Sequence, residues 1–135
     1  MEKIPIHKKI LTTADEYHII AEEQWRLLTE LDPINEELVF EFKRLSRASL
    51  MFYCRAYLIL DLIETDEEQT LEELLEISSE NMPELEDYIT HNKVLEILNV
   101  DSNENISKVF ACTEVARTLL LERSNNAAGT LFERF

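Results

Sequence analysis

An all-α fold, an up-and-down bundle of four to six helices around a long central second helix, is what this sequence predicts, and three observations carry the prediction. There is one glycine, Gly129, in 135 residues, whereas tight hairpins draw on glycine and asparagine at positive φ. Apolar residues recur at three- and four-residue spacing along most of the chain. Between Ile34 and Met82 neither proline nor glycine is present to end a helix. A chain of this length suits one domain, which buries roughly two thirds of the surface exposed when unfolded. The expected domain is 1–135, with 1–12 and 125–135 as flexible tails.

The first helix is expected to start at Thr13, because "TADE" sets a hydroxyl three residues before Glu16, the capping-box spacing. Tyr17, Ile20, Ala21, Gln24, Trp25, Leu28 and Leu31 then mark one buried face. Asp32-Pro33 separates it from the second helix, which is expected to run to about Glu64. There Leu38, Phe42, Leu45, Ser49, Phe52, Ala56, Ile59 and Ile63 step by four and three as a heptad seam does. Leu50, Met51, Tyr53, Tyr57, Leu58, Leu60 and Leu62 add a second stripe, so the segment is apolar around most of its circumference. A straight helix of that span is roughly 48 Å long, and must kink, protrude or pack on a second subunit.

After the charged turn "ETDEEQ", Thr70 and Glu73 repeat the capping-box spacing and open a short helix through Leu71, Leu74, Leu75 and Ile77. Pro83 starts another, and "NKVLEILNV" either continues it or forms a separate turn ending at Asn99. Asn103 or Asn105 caps a last long helix with Ile106, Val109, Phe110, Thr113, Ala116, Leu119 and Leu120 on one side, weakened at "SNNAAG".

Twenty-eight acidic residues against thirteen basic ones give a net charge of −15, which repels phosphate backbones and anionic lipid. Generic nucleic-acid and membrane binding are therefore not expected. The apolar stretch Ser49–Ile63 falls short of the about 20 residues needed to cross a bilayer. The N-terminal basic residues precede no apolar region of the secretory kind. Cys54 and Cys112 sit among apolar residues, where free cysteine packs as a small hydrophobe, in keeping with a reducing cytoplasm.

The long apolar helix, the charged turn and "TLEELLEISSENMPEL", over Leu38 to Glu86 with the late helix around Arg117, resemble the HEPN family of small helical domains. The resemblance implies a four- or five-helix bundle that dimerises. Ribonuclease members carry an arginine, four to six intervening residues and a histidine on the last long helix. Here "ARTLLLERSNNA" supplies Arg117, but Glu122 stands after four intervening residues, and Arg123 and Ser124 follow. The resemblance thus implies a member without the nuclease chemistry.

A buried guanidinium needs a carboxylate or several carbonyls, so Arg55 within its apolar run is either structurally paired or kept for a ligand or interface. Lys43, Arg44 and Arg47 share its helix and can pair with neighbouring glutamates, an acidic partner or a phosphate. A carboxylate-bridged di-metal centre needs two Glu-x-x-His motifs, and Asp15 to His18 is the lone comparable spacing. A Cys112–His91 nucleophile pair requires long-range proximity. No glycine-rich phosphate loop is present. No cofactor or metal is expected, and no catalytic residue is assigned. The expectation is a non-catalytic, homodimeric interaction module with Met51 and Tyr57 in the two-fold interface. The competing readings are a HEPN-type ribonuclease using Arg117, a nucleotide-binding protein, and an acidic nucleic-acid mimic that binds a basic protein.

Overall fold

The computed structural model describes residues 6–30, 35–60, 63–80, 82–99 and 106–133, with side chains to residue 123 in the last stretch. The described residues form six helices and no strand: α1 (Ile6–Glu30), α2 (Glu36–Leu60), α3 (Leu71–Ser79), α4 (Pro83–Asn92), α5 (Val94–Ile97) and α6 (Ile106–Glu133). No helix among them is long and apolar enough to cross a membrane. The helical bundle is the predicted class.

The central position of α2 follows from its composition. Phe42, Leu45, Leu50, Tyr53, Cys54, Ala56, Tyr57 and Leu58 are all buried, and they cover more of the circumference than one neighbour can shield. Accordingly α1, α3 and α6 all pack on it. Tyr17 of α1 stacks on Phe52 at a centroid distance of 5.5 Å, which registers the α1–α2 hairpin. The described part of the second stripe, Leu50 to Leu60, is thus buried or half-buried inside a single chain, and Tyr57 faces the chain's own core at 6% exposure while Met51 is half-buried.

Helix ends depart from expectation in places. α1 starts at Ile6, and Thr13 lies within it, its hydroxyl donating to the Lys9 carbonyl at 3.2 Å in place of capping. Residues 6–12 are therefore helical. Asn35 caps α2, its Oδ1 accepting from the Glu37 and Leu38 amides at 3.0 and 3.2 Å. The Asp32-Pro33 break and the Asn103 or Asn105 cap lie outside the described residues.

α2 ends at Leu60, short of Glu64, with the Ile63 amide donating to the Leu58 carbonyl at 2.9 Å in the six-to-one bond that closes many helix ends. Its 25 residues shorten it to about 37 Å, so its length demands neither a kink nor a second subunit. Thr70 caps α3 as expected, its Oγ1 accepting from the Glu73 amide at 3.2 Å. Pro83 opens α4. Lys93, at φ 51°, breaks the chain between α4 and α5, making the latter a separate turn. α6 remains helical across Ser124–Gly129 up to Glu133, where weakening was expected.

Two measurements check this description. Thr70→Ala removes the α3 cap and is expected to cost about 1 kcal/mol in urea unfolding. Tyr57→Glu places a carboxylate in the core and is expected to unfold the domain, seen as loss of the cooperative thermal transition, and not to release a folded monomer from a dimer.

Candidate functional site

Two features stand out: a polar network among the three long helices, and an acid-rimmed groove over the three short ones. In the network, Asp15 and His18 share one side of α1 by their three-residue spacing, Tyr53 comes from α2, and Glu114 and Arg117 come from α6 at the same spacing. The Tyr53 hydroxyl donates to Asp15 Oδ1 and accepts from Arg117 Nε at 2.8 Å. Arg117 Nη2 lies 3.6 Å from Asp15 Oδ1, and the guanidinium stands 5.3 Å over the Tyr53 ring. Beside them His18 Nε2 sits 2.6 Å from Glu114 Oε1. Trp25 stacks on Phe110 at 4.4 Å and closes the same helix junction.

Burial acts on His18 and Tyr53 among these groups. Burial, followed by the nearby Arg117 guanidinium, pushes His18 below its usual value despite Glu114 and Glu22. A neutral imidazole then donates from Nε2 to Glu114, while the buried Nδ1 has no hydrogen-bond partner among the described residues. Burial, followed by the bond to Asp15, pushes the Tyr53 phenol well up, so it stays protonated. Burial likewise pushes Cys54 up to about 12. Tyr88 is pushed up to about 12 by burial and then by Cys112, which makes Tyr88 the polar neighbour of that thiol. His91 is exposed, with Nδ1 3.2 Å from the Asp87 carbonyl. Among the described residues no three His, Cys, Asp or Glu side chains are grouped to hold a metal ion.

The groove lies between α3, α4 and α5 and has a volume of about 230 Å³. Leu75, Ile89 and Leu95 form its apolar wall, and Glu72, Glu76 and Glu86 stand around it. Arg47 props this region from α2: Nη2 bonds Glu72 at 2.9 Å and Nη1 bonds the Leu98 carbonyl at 2.9 Å. Glu76 and Glu86 form no ion pair among the described residues.

The chain matches no family model, no curated protein and no solved structure.

The residues singled out in the sequence do not converge on one place. Arg47 braces the groove, Arg44 is exposed and paired with Glu41, and Lys43 is buried on α2. Arg117 belongs to the three-helix network, whereas Glu122 is exposed on α6. Arg55 is half-buried, over the Phe52 ring at 5.4 Å, with Nη2 3.3 Å and 3.4 Å from the Asp66 and Glu67 carbonyls. Asp15, Tyr53 and Glu114 were not recognised as partners, because Tyr53 reads as part of an apolar stripe and the two acids as part of a solvated helix surface.

Tyr53→Phe deletes a hydroxyl bonded on both sides and is expected to cost about 1–3 kcal/mol, read from urea unfolding. His18 sets a pH dependence. It binds a proton less readily folded than unfolded, where its value is 6.5, so its contribution is intact above that pH and is lost towards the lower folded value. Thermal stability should therefore fall as the pH is lowered through 6.5, and His18→Gln should flatten the slope. His7 shifts in the same direction, so His7→Gln measures its share of the slope separately.

Proposed function

We propose that this chain is a non-catalytic, HEPN-like interaction module whose α3–α4–α5 groove receives a basic segment of a partner protein with an apolar anchor. The observation that carries this reading is the groove itself, in which an apolar wall of Leu75, Ile89 and Leu95 meets Glu76 and Glu86, carboxylates without an ion pair among the described residues. Glu72 is already satisfied by Arg47, so it shapes the rim while the other two offer charge. The net charge of −15 adds a field that draws cationic partners in. Complementary charge of this kind governs orientation and encounter, while the apolar anchor supplies most of the affinity.

The state of Arg117 supports the non-catalytic part. Tyr53 and Asp15 occupy its guanidinium, and Glu122 is exposed on the same helix in the place considered for a histidine. A homodimer enters the proposal through surfaces the bundle leaves open. Ile20 and Leu27, 44% and 56% exposed, stand two turns apart on the solvent side of α1.

Titration with a labelled helical peptide of leucines and lysines tests the groove. Glu76→Lys with Glu86→Lys should weaken binding by about tenfold, the scale of two reversed rim charges, whereas Glu16→Lys with Glu23→Lys on α1 should not. Equal loss in both variants would reduce the effect to net charge and remove the groove reading. Incubation with structured and unstructured RNAs should leave them intact, and Arg117-dependent cleavage would instead favour a ribonuclease. Light scattering should give twice the 15.9 kDa chain mass, reduced to one chain mass by Ile20→Glu with Leu27→Glu.

A further inference from the structure

Arg55 has a setting unlike that of the other described arginines. Arg26, Arg44, Arg47, Arg117 and Arg123 each have a carboxylate neighbour. Arg55 has none among the described residues, although the chain holds more than two acidic groups for every basic one. Among the described residues its hydrogen bonds are two long ones from Nη2 to carbonyls, which tie the 63–70 loop back to α2. A guanidinium has five N–H donors in a planar fork, so capacity remains for a bidentate acceptor.

The space beside it is a cleft of about 440 Å³ lined by Ile10 of α1, Arg55 and Ile59 of α2, and Ile63, Glu64 and Thr65 of the following loop. Three isoleucines provide an apolar wall. Glu64 is exposed and, like Arg55, forms no ion pair among the described residues. One cleft therefore presents an unpaired cation, an unpaired anion, a hydroxyl and aliphatic surface together. Arg55 also lies over Phe52, which holds the planar group in place from the side.

We infer that this cleft binds a free α-amino acid with a large apolar side chain, a site separate from the α3–α4–α5 groove. The ligand carboxylate meets Arg55 as a bidentate acceptor. Its ammonium faces Glu64, the Thr65 hydroxyl accepts or donates between them, and its side chain lies against Ile10, Ile59 and Ile63. A simple anion is disfavoured by Glu64 and by the net charge, and a simple cation by Arg55. A zwitterion satisfies both groups without adding charge to the protein, and the isoleucines select a bulky apolar side chain over a small or polar one.

Calorimetric titration of the full chain with L-phenylalanine, hydrocinnamate, phenethylamine and L-alanine is the test. Phenylalanine should bind at millimolar concentration or better, with each single-charge analogue weaker by about tenfold or more, the scale of one charge-assisted hydrogen bond. Alanine should give no measurable heat. Arg55→Met should abolish the preference for phenylalanine over phenethylamine, and Glu64→Gln the preference over hydrocinnamate. Both variants should melt close to wild type, because neither side chain is fully buried. Hydrocinnamate equal to phenylalanine on the wild type would overturn the zwitterion assignment, and the absence of binding by all four compounds would overturn the site. The ligand series on the unaltered protein decides the matter even if a variant fails to fold.

Discussion

The rest of the structure depends on how α2 is covered. A helix apolar around most of its circumference must find neighbours on several sides, and this chain has only helices to provide them. α1, α6 and α3 all pack against it. Leu71, Leu74 and Leu75 of α3 are buried, and Met82, Leu85, Val94, Ile97 and Leu98 extend the same core behind them. The short helices exist in this arrangement because they finish that burial. Their outer surfaces are consequently the acidic ones, since the leucines of "TLEELLEISS" are spent inward and the glutamates remain outside.

Polar groups placed within such a core must satisfy one another, which accounts for the network around Tyr53. Its ring is fully buried on α2, so its hydroxyl needs partners at the α1–α6 boundary, where Asp15 and Arg117 meet it. Hydrogen bonds of this sort contribute little net stability when complete and cost much more when one member is missing. Their effect is on specificity: Arg117 reaches Tyr53 in only one register of α6 against α2. His18 and Glu114 repeat the restriction a few ångströms away. Apolar packing alone permits sliding of one helix along another, and two polar connections remove that freedom.

The central helix was legible because every seam position from Phe42 to Ala56 obeys one period, and all are buried or half-buried. The Thr70 cap was equally legible, since a hydroxyl and a glutamate three residues on act locally. At Thr13 the same local pattern misled. Leu11 precedes it and packs against the core, so tertiary burial carried the helix past the cap signal to Ile6. The end of α2 was misplaced for a related reason, because the apolar pattern continues to Ile63, which already lies outside the helix. Neither the network nor the groove could be read from spacing. Each joins residues 38 or more positions apart, or on helices whose relative rotation the sequence pattern leaves open.

The strong negative charge bears on both surfaces in opposite ways. Screening at physiological salt limits the field of exposed carboxylates to about 8 Å, so distant glutamates act on encounter with a partner more than on contacts at the groove. Local arrangement then decides what each surface can hold. At the groove, two like charges beside an aliphatic wall favour a cation attached to something apolar. At the Arg55 cleft, Glu64 sits at the same opening as the guanidinium without pairing with it. Opposite charges left apart in an acidic protein are unusual on electrostatic grounds, because a modest side-chain rotation normally lets them meet. The carbonyls of Asp66 and Glu67 restrain Arg55 by accepting from its Nη2, and the Phe52 ring limits its swing. That restraint holds the guanidinium to the loop and leaves its other donors without a carboxylate among the described residues, so the separation of charge is a property of the loop geometry and not of the composition.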